Sequence, residues 1–575
     1  MPKLKTDQSP QAHESSHYST FERSVVHSAL WAAAGDALGW MTELVRGPAD
    51  VRHRTGVSRV SEPVDWRRLI GGRNGPKVSL PAGTYSDDTQ LRLAVSRSIR
   101  GNGSFDAETF AKIELTVWPT YALGGGLGTK AAALNLSRRG VNWFSNFYER
   151  GNQAYVNGGG NGAAMRIQPH VWGFKGNSSE FVLNVIRDSL VTHGHPHGFC
   201  GAVFHALSLA DTLKFGEIPP LESWKKYILQ FKEIPDVISK DSQLAAFWLP
   251  AWEEKSGQFL EAALEITIQE ALNDLDVVAK LLSGAFLPNY HTILDQIGCL
   301  TPQYRGSGFK TALAALALAH IFRDGVIEEA LIVSANELNS DTDTIATMAG
   351  ALLGAISPSP PSWKLQDRDY ITVEALRLAR IAQGYPQESF NYPDLGRWNP
   401  PSTQAASVGF VDDGFAILGL GNLSPFSEEF SAGDSIWQWH TLPFGQTILA
   451  KRRSEVKVSI SLDQLPGSSR ITSSRSKVID TKVSRFEPPD QPSLPLDAPN
   501  VTRAVPAPAL SLEMPESSYA SIDVLTNAII SSNFDDLTLG KLLNRFIDSS
   551  QSIESTIGFV AIIAKAKLAR QKRQR

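Results

Sequence analysis

The sequence predicts an all-α domain over residues 21–390, then a small β-rich segment, a Pro/Ser-rich linker and a C-terminal helical segment. Three observations carry this. Long Ala- and Leu-rich stretches broken by Gly-rich loops run from Phe21 to about Tyr385, with few β-branched alternations. Apolar residues there recur at helical spacing: Ile345, Met348, Ala349, Leu352, Leu353 and Ile356 fall on one helix face, the i, i+3, i+4, i+7 template. The texture then changes at Asn391–Thr403 (NYPDLGRWNPPST), a Pro-rich break followed by short aromatic and β-branched runs.

Taken in order, residues 1–20 are polar and read as a disordered tail without the apolar stretch of a secretory leader. Within 21–390, Leu91, Ala94, Val95, Ser98 and Ile99 repeat the helical spacing behind an acidic start. Residues 391–466 read as short strands around the turn signal Asp412-Asp413-Gly414. Residues 467–518 are rich in Ser and Pro and lack a core-forming pattern, so they read as an extended linker. Residues 519–575 turn helical again, with Leu539, Leu542, Leu543 and Phe546 on one face. The chain closes on KAKLARQKRQR. Such a basic end suits the negative pole of a helix and is also a candidate dock for an unknown acidic partner.

Composition excludes several function classes. Among 575 residues, Lys+Arg 55 against Asp+Glu 59 leaves a net charge of −4. No global basic field exists to hold a nucleic acid or an anionic membrane. Cys200 and Cys299 are the only cysteines, too few for a disulfide framework, so a reducing cytoplasm is expected. No apolar run reaches the roughly 18 residues of a membrane span; Leu313–Phe322 is the best and stops short.

Two acidic helix starts carry the chemistry. Ser86-Asp87-Asp88-Thr89 stands before one apolar helix and Asn339-Ser340-Asp341-Thr342-Asp343-Thr344 before another. Either alone is explained by capping, since Ser and Asp suit the positive helix end. Brought together, their four carboxylates would repel strongly unless cations sat between them. Mg²⁺ or Mn²⁺ favours such an all-oxygen shell. Zinc spacing is missing: His193, His195 and His197 alternate and have no partner cysteines. The glycine-rich runs Gly124–Thr129 and Asn157–Arg166 can bring backbone N–H groups against phosphate oxygens or serve as plain loops. Neither matches a Walker or dinucleotide fingerprint.

Read in chain order, these segments resemble the ADP-ribosylglycohydrolase family. The likeness rests on GDALGWMTE (Gly35–Glu43), YSDDTQ (Tyr85–Gln90), GLGT (Gly126–Thr129), GNGAAMRIQP (Gly160–Pro169), THGHP (Thr192–Pro196) and SDTDTIATMAGALLGA (Ser340–Ala355). The resemblance implies an all-α fold with a binuclear Mg²⁺ or Mn²⁺ centre below an ADP-ribose cleft. It implies metal ligation by Ser86, Asp87 and Asp88 and by Asp341, Asp343 and Thr344. Glu43 and Asp87 are the implied catalytic carboxylates. Gly126, Gly128 and Thr129 would hold the diphosphate, Asn161, Gly162 and Met165 the ADP-ribose, and His193 its ribose. The implied reaction is hydrolysis of the C1″ bond joining ADP-ribose to a protein side chain or other acceptor. An inactive ADP-ribose reader and a metal-dependent phosphoesterase are the competing readings. Departures are the Asn339-Ser340 pair where the family carries two glycines, and Gly126 where some members carry Asp.

Overall fold

The computed structural model describes residues 18–174, 178–284, 289–412, 414–467, 522–550 and 553–574. Residues 1–17 of the expected tail (1–20) and 468–518 of the expected linker (467–518) lie outside the described residues. The chain divides into two compact units, 1–471 and 472–575.

In the first unit α1 (Thr20–Trp40) is buried along most of its length. It starts on a capping box: the Ser19 hydroxyl accepts the Glu22 N–H while the Glu22 carboxylate accepts the Ser19 N–H. The unit also contains α2 (Asp87–Ser98), α3 (Leu127–Leu136), α4 (Ser178–Thr192), α5 (Pro196–Phe215), α6 (Gly308–Ile321), α7 (Thr342–Ile356) and α8 (Arg368–Ala382). The contact of α1 with α7 is closer than side chains permit. A Cβ on Gly35 would sit 2.3 Å from the Ala346 oxygen, and one on Gly39 2.3 Å from the Thr342 oxygen. These glycines therefore set the helix separation, and the Thr342 hydroxyl seals it by donating to the Gly39 carbonyl at 2.9 Å.

An addition to the expected all-α body is a hairpin of β1 (Trp66–Leu69) and β2 (Lys77–Leu80), with Trp66 opposite Leu80. Its signal lies in two short apolar-ended runs on either side of Gly71-Gly72-Arg73-Asn74-Gly75. The β-rich segment forms a second sheet of β3 (Val408–Val411), β4 (Gly414–Ile417), β5 (Gly421–Pro425), β6 (Phe430–Ala432), β7 (Ser435–Thr441) and β8 (Thr447–Arg453). All pairings are antiparallel, in the order β8-β7-β5-β4-β3 with β6 also on β7. Trp437, Trp439 and Leu449 of this sheet share an apolar cluster with Trp40, Trp66 and Leu80. The sheet thus belongs to the same compact unit as the helices.

The second unit contains helices Ile522–Ser531, Asp536–Ser550 and Ile553–Gln574. Its small core is Leu525, Ile529, Phe534, Phe546, Phe559 and Ile563, flanked by Leu539, Leu542 and Leu543. Among the described residues, no helix is long and apolar enough to cross a membrane.

Candidate active site

The two acidic helix starts meet. Ser86 is the N-cap of α2, its hydroxyl accepting the Asp88 N–H at 3.3 Å. Asp341 occupies the same position on α7, but its side chain makes no capping bond. Instead Asp341 Oδ2 accepts a hydrogen bond from Asn161 Nδ2 at 3.0 Å. The Thr344 hydroxyl donates to Asp88 Oδ1 at 3.4 Å across 256 sequence positions, near the outer limit of a hydrogen bond. Asp343 lies beside it, accepting the Thr344 N–H at 3.0 Å.

Asp36 of α1, whose role the sequence reading missed, holds the first start in place. Its carboxylate accepts the Ser86 N–H at 2.9 Å, the Thr89 N–H at 2.9 Å and the Thr89 hydroxyl at 2.6 Å. The signal was an acid in the Ala/Trp-rich second half of α1, because a carboxylate on a buried helix needs donors close by. Gln90 steadies the adjoining loop: its Oε1 accepts from Trp118 Nε1 and the Leu123 N–H, both at 3.1 Å. The Leu123 carbonyl in turn accepts the Asp87 N–H at 2.9 Å.

Crowding and burial raise these acids together. Asp87 is pushed up to about 7, first by burial and then by Glu43 and Asp36, with Lys130 opposing. Burial, then Asp36, Asp87 and Asp341, holds Asp88 well above the usual carboxylate range. Asp343 is raised by burial and by Glu43, Asp341 and Asp88. Asp88 Oδ2 is buried without a hydrogen-bond partner, an arrangement a cation relieves. Among the described residues, no three His, Cys, Asp or Glu side chains already share one metal-bonding point. The donor set is nonetheless all oxygen, carboxylates and hydroxyls, the chemistry of hard divalent ions.

Glu43 lies just past α1 and is held from the hairpin. Arg68 Nη2 of β1 pairs with Glu43 Oε2 at 3.0 Å. The Arg68 guanidinium stacks over Trp40 at 5.2 Å, and Trp40 meets Trp66 edge-on at 4.9 Å. Arg54 Nη1 donates to the Glu43 carbonyl at 2.9 Å. On its far side the hairpin touches the sheet: a Cβ on Gly71 would lie 2.6 Å from the Trp437 ring. Neither Arg68 nor Trp437 was singled out from sequence, since such pairings arise only on folding.

The glycine segments converge beside the acids. Gly126 caps α3 with nothing within 4 Å of a would-be Cβ, and one on Gly128 would lie 3.1 Å from the Tyr148 hydroxyl. On Gly162 a Cβ would stand 2.9 Å from His193 Cε1 and 3.0 Å from Thr129 Oγ1. Gly162, Thr129 and His193 are therefore neighbours, and the loop tolerates only glycine there. Burial, helped by Arg166, pushes His193 down to about 3, so its imidazole is neutral. Arg166 supports the loop from below, donating to the Gly162 carbonyl at 3.0 Å and to Asp188 Oδ1 at 2.8 Å. Met165 is 3% exposed and packs against the apolar core behind the loop. Asn339, at φ +75°, adopts the left-handed conformation that asparagine tolerates, and the Ser340 hydroxyl donates to the Glu337 carbonyl at 2.7 Å.

Over residues 18–388 the sequence matches the family model described as ADP-ribosylglycohydrolase. It is similar to the ADP-ribosylhydrolase ARH3 of Xenopus tropicalis, 25% identical over 299 residues, which is 51% of this chain and 79% of the relative. Against the human ARH3 the identity is 28% over 315 residues, 52% of this chain and 79% of the relative. The ADP-ribosyl-[dinitrogen reductase] glycohydrolase of Rhodospirillum rubrum is 28% identical over 170 residues, 29% of this chain and 50% of the relative.

Proposed function

The chain belongs to the ADP-ribosylglycohydrolase family and is a hydrolase of that kind, and on that premise we propose that it cleaves the C1″ glycosidic bond of ADP-ribose attached to a protein side chain or other acceptor. The observation that supports a single acidic site is the Thr344–Asp88 contact, which joins two helix starts far apart in sequence. Ser86, Asp87, Asp88, Asp341, Asp343 and Thr344 are the residues that would hold two divalent cations, Mg²⁺ or Mn²⁺. Bound there, the cations supply Lewis-acid polarisation and make water more acidic.

The chain's own groups do the rest. The glycine segment 124–129 offers backbone N–H groups to the diphosphate, and Asn161, Gly162 and Met165 of the second glycine loop wrap the ADP-ribose. Neutral His193, packed on Gly162, orients the ribose without adding positive charge. Departure of the acceptor builds positive charge on the ribose ring, an oxocarbenium-like state, and the acidic cluster stabilises it where it develops. The water oxygen joins C1″, the C1″–acceptor bond breaks, and the acceptor leaves with a proton. Asp87 or Glu43 takes the proton from water and passes it to the leaving acceptor; Arg68 holds the Glu43 carboxylate in place. A cytoplasmic setting fits Cys200 and Cys299, both buried and free.

The test is release of ADP-ribose from substrates of defined linkage, with and without chelator. The reading expects turnover that chelation abolishes and divalent ions restore. Tight ADP-ribose binding without any release would make the chain a reader instead.

A further inference from the structure

A groove of about 390 Å³ runs along the outer face of α3, closed on its far side by residues 401–404. It begins next to the acids. The Lys130 side chain lies 3.1 Å from where a Cβ on Gly125 would be, and one on Gly124 would stand 2.5 Å from Asp87 Oδ1. Two leucines line the groove unusually open to solvent, Leu127 at 70% and Leu134 at 43% exposure. Its charged lining is Lys130 and Arg150, with no Asp or Glu. Lys130 acts on Asp87 of the acidic cluster, whereas Arg150 is in no ion pair among the described residues and the neighbouring Glu149 is engaged by Lys255 at 3.3 Å. The wall is anchored to the body by the Thr120 hydroxyl on the Gln404 carbonyl at 2.8 Å and by Arg139 on Asn399 at 2.9 Å. That wall lies beyond residue 388, where the family match ends.

We propose that this groove binds an acidic, leucine-containing peptide segment flanking the modified side chain, so that the chain selects protein acceptors with acidic surroundings. The proposal rests on the hydrolase reading and adds the substrate class. The unpaired Arg150 favours an anionic partner, and two exposed leucines need apolar cover that a small acceptor would not supply. Contact at the groove places the flanking residues one side chain from Asp87, so docking and cleavage engage the same substrate molecule.

The test compares one modified residue in three settings: an acidic peptide containing leucine, a basic peptide, and the free end-capped amino acid. Expected is a kcat/KM about 10-fold higher for the acidic peptide than for the basic one, expressed through KM. Arg150→Glu should reverse that preference and Leu134→Ser should raise KM for the acidic peptide by about 5-fold, both leaving the free amino acid unchanged. Equal rates for both peptides, or an Arg150→Glu loss shared by all three substrates, overturns the proposal. Should no substrate be cleaved, the hydrolase reading fails by itself. Fluorescence anisotropy of the unmodified acidic peptide then decides the groove: saturable binding lost in Arg150→Glu supports it, and no binding sinks it.

Discussion

Ser86 and Asp341 stand at equivalent positions on α2 and α7, yet the structure secures them by different means. The α2 start is fastened from within the body: Ser86 caps its own helix and Asp36 takes three further donors. The α7 start has no side-chain cap at all. Asp341 is instead tied to Asn161, in a glycine loop, and Thr344 to Asp88. Both starts are set against α1, the second through the Thr342 hydroxyl on the Gly39 carbonyl, but the Asp341 carboxylate itself is held by a loop that faces the proposed ligand. Ligand and cations should act most strongly on the α7 side.

The largest expected effect tests the shared acid. Asp88→Asn should lower turnover by at least about 100-fold, while the melting temperature of chelated protein stays level or rises because a buried, repelled charge is gone. Activity assays beside calorimetry check this, and a variant that remains fully active would break the link between the two starts. Next comes the fastened half. Asp36→Ala strands the Ser86 and Thr89 N–H groups, so a loss of about 3 kcal/mol of stability is expected in denaturant unfolding. Asn161→Ala, on the looser half, should leave unfolding nearly unchanged and weaken divalent-ion affinity by about 10-fold, read in a metal titration. If the two substitutions cost equal stability, the contrast between the starts is mistaken.

The smallest effect is in pH. Asp87 is raised above its unfolded value, so its contribution is fully present below the ordinary carboxylate range and lost as pH rises through about 7. Chelated protein should gain stability by about 1 kcal/mol on going from pH 8 to pH 6. Saturating Mg²⁺ should abolish that gain, since it holds the carboxylate ionised throughout. Melting curves with and without Mg²⁺ check both halves.

The helical body, the acidic starts and the glycine segments were legible because each is written locally, in periodicity or in adjacent residues. Their meeting was legible only as an electrostatic argument about repelling carboxylates, which the Thr344–Asp88 contact matches. What escaped lies in long-range pairing. Asp36 acts on Ser86, fifty positions away, and nothing local couples them. Arg68 reaches Glu43 only because the hairpin folds back over Trp40. The strands of 391–466 were visible, but their packing through Trp437 and Trp439 against the hairpin depends on a surface that sequence does not display.

A calorimetric titration of chelator-treated protein with Mn²⁺ tests the central claim most directly, using wild type, Asp88→Asn and Asp343→Asn. The account predicts two ions per chain, with substitutions on either helix weakening the same binding events. Binding that ignores both substitutions, or responds to one helix alone, would contradict a site shared by the two acidic starts.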